Sequence, residues 1–110
     1  MKIKEITDFH ILFDDGTKIT DYHEQDCCEY VYADFEQLKT TAIMNEVFKR
    51  EDLLNMVGVK DNGIKLKSYM IPCYNEQNGY YSDQLELIVT FPDGVKIKMD
   101  CAGFIENRID

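Results

Sequence analysis

Two short segments of this chain share one design and limit what it can fold into: F-D-D-G-T-K-I at residues 13–19 and F-P-D-G-V-K-I at residues 91–97. Each stands beside runs in which apolar and polar residues alternate. Phe9, Ile11 and Phe13 precede the first, and Leu85, Leu87, Val89 and Phe91 precede the second. A period of two marks a half-buried strand, because successive side chains leave opposite faces of the backbone. After the second turn Val95, Ile97, Met99 and Cys101 point one way while Lys96, Lys98 and Asp100 point the other. Both segments therefore predict β-hairpins. Pro92 fixes φ at the first corner, Asp93 supports the second, and Gly94 takes the left-handed position that closes a type I turn with a bulge. Shared turn chemistry explains the likeness with fewer assumptions than an internal duplication.

A third hairpin is expected at Asp61-Asn62-Gly63, joining strands over residues 54–59 and 64–71, since Asn-Gly is a strong turn signal. A fourth turn at residues 76–79 would join residues 71–74 to a strand from Tyr80 onward. Helical content is left for residues 24–50, where Val31, Phe35 and Leu38 recur at helical spacing and no Pro or Gly interrupts. Glu24 or Asp26 would favour the helix N-terminus. Residues 40–49 are ambiguous: Ile43, Val47 and Phe48 suit a helix, whereas Thr40-Thr41 suggests a break. The expected fold is α+β, a single domain over residues 1–110. Its antiparallel sheet has about six strands built from hairpins, with one principal helix after the first hairpin.

At 110 residues, 45% hydrophobic and with six Phe and seven Tyr, the chain can bury a core without staples. Twenty-one acids against 12 bases give a formal charge of -9, which repels phosphate backbones and anionic lipid. Neither nucleic acid nor a membrane is an expected partner. No apolar run approaches the roughly 20 residues of a membrane span. With no basic-then-apolar leader, the four cysteines are expected to be reduced thiols in a cytoplasmic protein.

Functional chemistry concentrates in Y-H-E-Q-D-C-C-E-Y, residues 22–30. On a helix His23 and Cys27 lie four apart, as do Glu24 and Cys28, and the two thiols diverge by about 100° around the axis. One reading is a zinc site, with His23 and Cys27 joined by Cys73 and Cys101 from strands, although no C-x-x-C knuckle is present. A second is a thiol nucleophile helped by His23, against which Glu24, Asp26 and Glu29 would raise a thiol's pKa. The third is structural: a cysteine packed under the sheet, His23 hydrogen-bonded at a strand end, and acids at a helix start. Tyr22, Tyr30 and Tyr32 surround this segment with rings that keep one edge wet and available to a partner. His10 alternates away from Phe9 and Ile11 and reads as a surface residue.

A second segment, C-Y-N-E-Q-N-G-Y-Y-S at residues 73–82, joins amides and tyrosines around a turn, either as a recognition loop or as a hairpin tip whose rings cover a sheet edge. No Walker loop, dinucleotide fingerprint, H-E-x-x-H or EF-hand loop is present, and no cofactor is expected.

The strings F-D-D-G-T-K-I-T-D-Y-H-E-Q-D-C-C-E, residues 13–29, and Y-N-E-Q-N-G-Y-Y-S, residues 74–82, together resemble a family of small uncharacterised proteins encoded by bacteria and their phages. The resemblance implies a cytoplasmic protein of phage or mobile-element association. It carries no catalytic residues. His23, Cys27, Cys28, Asn78, Gly79 and Tyr80 lie in its signatures.

The expected function is non-enzymatic protein binding through His23, Cys27, Cys28, Asn78, Tyr80 and Tyr81, with Tyr80 and Tyr81 holding a protein partner. The alternative is a metal-binding or thiol-dependent protein using His23 with Cys27 and Cys28. A DNA mimic is a lesser alternative, disfavoured because Lys2, Lys4, Lys18, Lys60, Lys65, Lys67, Lys96 and Lys98 interrupt the acidic field.

Overall fold

The computed structural model describes residues 1–24, 30–77, 85–101 and 104–108, without the side chains of Gln77 and residues 106–108. Both Asp-Gly segments turn the chain as expected. Strands β2 (His10–Phe13) and β3 (Lys18–Tyr22) flank the first, and β8 (Glu86–Thr90) and β9 (Lys96–Asp100) the second. In each, the glycine N–H donates to the carbonyl of the leading Phe, and the Phe N–H donates to Thr17 or Val95 beyond the turn. Gly16 and Gly94 stand at φ +94° and +86°. The Asp15 and Asp93 carboxylates accept the N–H two residues on, at 2.9 and 3.1 Å, which is why this short string dictates its own turn.

With β1 (Ile3–Ile6) the two hairpins form one antiparallel sheet in the order β1-β2-β3-β8-β9. Registers align Ile6, Ile11, Ile19, Val89 and Ile97 in a row across all five strands. Phe9 departs from expectation: it lies outside β2 and is 77% exposed. The chain turns at Thr7 to Phe9, where Thr7 Oγ1 accepts both the Phe9 and His10 N–H groups at 3.2 Å. Val95, just beyond the second turn and outside β9, is likewise exposed, whereas Leu85, Leu87, Val89 and Phe91 are all buried.

A second group of five strands comprises β4 (Tyr30–Ala33), β5 (Val57–Val59), β6 (Gly63–Leu66), β7 (Tyr69–Gln77) and β10 (Ile105–Arg108). The nine-residue β7 is long enough to hold several partners. Residues 69–72 pair with β6, residues 73–76 with β4, and residues 74–77 with β10, the one parallel pairing among the described strands. Pro72, which has no N–H to offer a ladder, sits where β4 pairing ends, and its carbonyl accepts the Asp34 N–H at 2.8 Å.

The expectation of about six strands and one principal helix is therefore corrected. Ten described strands form two sheets, and the span 30–54 breaks into β4, two 3₁₀ turns (Phe35–Thr40 and Ala42–Asn45) and a five-residue helix, α1 (Arg50–Leu54). Val31 belongs to a strand because Tyr30-Val31-Tyr32-Ala33 alternates exposed or half-exposed with buried positions. The break at the threonines is real. Thr41 Oγ1 donates to the Leu38 carbonyl at 2.6 Å and accepts the Ile43 N–H at 3.3 Å.

Two strand boundaries change as well. Leu54 is helical, so the third hairpin starts at Val57, and its partner run is cut at Lys67-Ser68. Lys67 holds φ 53° there, with its ammonium on Glu46 and on the Val47 carbonyl, each at 3.1 Å. The expected turn at residues 76–79 is partly overturned, since Glu76 and Gln77 continue β7, and residues 78–79 lie outside the described residues.

One hydrophobic cluster takes side chains from both sheets, with Phe35, Leu38, Ile43, Phe48 and Leu53 supplied by the helical arm. The first 3₁₀ turn touches both β1 and β7. Among the described residues no helix is long and apolar enough to cross a membrane.

Candidate functional site

The end of β3 and the whole of β4 belong to different sheets, yet a side chain ties them. Asp21 Oδ2 accepts the Ala33 N–H at 2.8 Å. Strand alternation then sends Val31 and Ala33 into the core and leaves Tyr30 and Tyr32 on the other face. Those two rings lie 4.7 Å apart, and Tyr32 stacks on its cross-strand partner Tyr74 at 5.4 Å and 23°. This is a spacing at which aromatic pairs gain energy beyond simple burial.

Beside this ladder is a pocket of about 540 Å³. Its walls come from Asp8 and Phe9 in the β1–β2 turn, from Asp21, Tyr22 and His23 at the end of β3, and from residues 30–34. Phe9, Tyr22 and Tyr30 are 77%, 56% and 55% exposed, a concentration of ring surface that an isolated protein rarely leaves in water. The pocket's size lies within the range of small-molecule sites, roughly 300–1,000 Å³.

Its charge has one sign. Asp8, Asp21 and Asp34 line the pocket, and no Lys or Arg is among its described walls. Burial raises the Asp21 carboxyl above its ordinary range, against the lowering effect of the Ala33 N–H bond. Burial also pushes the Tyr32 hydroxyl up to about 12, with the nearby charges of Glu76 and Asp34 acting in the same direction. Asp34 is held in place by Gln37, whose Nε2 donates to Asp34 Oδ2 at 2.9 Å and to the Tyr74 hydroxyl at 2.6 Å.

Asp21 provides a pH test. Its folded pKa is raised, so above the ordinary value of 3.8 the folded chain holds more proton than the unfolded one. The stability Asp21 contributes is complete below that value and is lost as pH climbs through its raised midpoint. Carboxyl NMR should place the Asp21 midpoint above 3.8. Asp21→Asn should flatten that part of the urea-midpoint profile. A midpoint below 3.8 would mean that the Ala33 hydrogen bond outweighs burial.

Of the residues expected to form the site, His23 lies on the pocket wall. Cys27, Cys28, Asn78, Tyr80 and Tyr81 fall outside the described residues, so their meeting with His23 lies there too. The strand cysteines proposed as zinc ligands do not line the pocket. Cys73 is fully buried, with its Sγ toward the Ile71 carbonyl at 3.7 Å. A hydrogen bond shared with Cys101, together with burial, holds its thiol far above the usual range, so it stays protonated at neutral pH. Among the described residues no three His, Cys, Asp or Glu side chains gather to hold a metal. His10 behaves as a surface residue, 3.1 Å from Glu5.

Sequence reasoning identified the rings of Tyr22, Tyr30 and Tyr32 but missed Asp8, Phe9, Asp21 and Asp34. Only the turn chemistry of I-T-D-F, a Thr-Asp pair before an aromatic, could have suggested that Phe9 sits on a turn. Comparison with protein-family models, curated proteins and solved structures finds no match for this chain.

Proposed function

We propose that this chain is a non-enzymatic protein-binding module of phage or mobile-element origin, and that it engages its partner through the face formed by Phe9, Tyr22, Tyr30 and Tyr32. The observation that carries this reading is the exposure of Phe9, Tyr22 and Tyr30, with half-buried Tyr32 beside them, around one concave, acid-lined pocket. Aromatic residues are enriched among the few side chains that dominate protein interfaces, because a rigid ring buries much area at small entropic cost. The ladder is also ready-made. Tyr32 is already fixed by Tyr74 and by a 3.5 Å contact from its hydroxyl to Glu76, so little ordering remains to be done on binding.

The phage side of the reading is supported by the motif resemblance at residues 13–29 and 74–82. The alternative of a metal-binding or thiol-dependent protein using His23 with Cys27 and Cys28 turns on two cysteines that lie outside the described residues. The test is photo-crosslinking from this face in an extract of the cells that encode the protein, compared with crosslinking from the β9 edge. A protein adduct formed from position 30 and not from position 96 is the expected result.

A further inference from the structure

Resting on that reading, we propose that the pocket beside Tyr30 and Tyr32 receives an arginine side chain of the partner. The argument is one of complementarity. Asp8, Asp21 and Asp34 face a pocket whose described walls carry no lysine or arginine, in a chain of formal charge -9. A neutral or anionic group placed there would lose water and gain nothing from those carboxylates, whereas a cation is attracted by all three.

The rings choose between cations. Tyr30 and Tyr32 tilt toward one another at 58° with centroids 4.7 Å apart, and Tyr22 is half exposed on the same pocket. A planar guanidinium stacks on such faces and still presents five in-plane donors to carboxylates. An ammonium is a compact, strongly hydrated charge that gives up more on entering. Asp21 spends one oxygen on Ala33 and Asp34 one on Gln37, which leaves an acceptor on each.

The probe is the blocked tripeptide acetyl-Gly-Arg-Gly-amide, with citrulline, lysine and leucine counterparts, titrated into ¹⁵N-labelled protein. The amides of Phe9, Tyr32, Ala33 and Asp34 should shift with the arginine peptide. Affinity should fall about tenfold when citrulline removes the charge and keeps the shape. Lysine should bind more weakly than arginine. Asp8→Asn with Asp34→Asn should cost a similar factor while the spectrum away from the pocket stays unchanged, which shows that the variant is folded. Citrulline binding as tightly as arginine would overturn the inference, as would shifts confined to other faces or none at all. The reading of this face as a partner surface does not fall with it, because the crosslinking outcome requires no arginine.

Discussion

Gly63→Ala should be among the most destabilising single substitutions in this protein, at about 4 kcal/mol. Gly63 begins β6 at φ +138°, outside what a side chain tolerates, and faces Pro72 of β7 in the ladder. An added Cβ would overlap the Ile71 carbonyl oxygen and come within 2.8 Å of the Cys73 nitrogen. Both obstacles are backbone atoms of the strand that holds β4, β6 and β10, and Cys73 N–H donates to the neighbouring Asn62 carbonyl at 3.2 Å. Neither can move without disturbing that sheet. The comparison is Gly16→Ala, where nothing lies within 4 Å and only the left-handed φ is penalised, at roughly 1–2 kcal/mol. Urea midpoints at unchanged slope measure both. Equal losses at the two sites would show that crowding against β7 is not the cause.

Phe48→Ala is expected to cost roughly 3–5 kcal/mol, the range for deleting a fully enclosed aromatic ring. Phe48 lies in an irregular stretch between the second 3₁₀ turn and α1, where no ladder fixes the chain. Its position is held by its ring, which meets Phe13 edge-on at 5.6 Å, and by a pair of backbone hydrogen bonds exchanged with Met1 at 2.7 and 2.8 Å. Removing the ring opens a cavity between the helical arm and the first sheet. It also removes the ring face over which the Lys67 ammonium sits, 5.5 Å from the centroid. Leu54→Ala, at a position 51% exposed, should stay within about 0.5 kcal/mol. A small Phe48 effect would mean that the arm contributes little to the core.

The parts of this structure that were readable in advance are those whose cause is local. The two Asp-Gly hairpins form because Asp15 and Asp93 bind backbone two residues away and a glycine follows each, all within the quoted strings. The helix was misread for a physical reason. A spacing of three between Phe35 and Leu38 serves a 3₁₀ turn as well as an α-helix, and Val31 fits the same series although tertiary pairing with β7 makes it a strand residue. The parallel pairing of β10 with β7 joins residues some thirty positions apart, such as Ile105 and Tyr74, and leaves no local mark. The site divides in the same way. Tyr22, Tyr30 and Tyr32 announce themselves by type, while Asp21 becomes a pocket wall only through its hydrogen bond to Ala33 on another sheet. Asp8 and Phe9 arrive by way of a turn that contains no glycine or proline.

The central claim is that the Phe9, Tyr22, Tyr30 and Tyr32 face is where this protein meets another. The most direct measurement places a photoreactive side chain in turn at positions 9, 22 and 30, and at positions 54, 57 and 96 as exposed controls. The account predicts one protein adduct shared by the first three positions and absent from the controls. That adduct should persist at raised salt, because aromatic burial is screened far less than surface charge. Adducts that arise from positions 54, 57 or 96 while positions 9, 22 and 30 stay silent would contradict it.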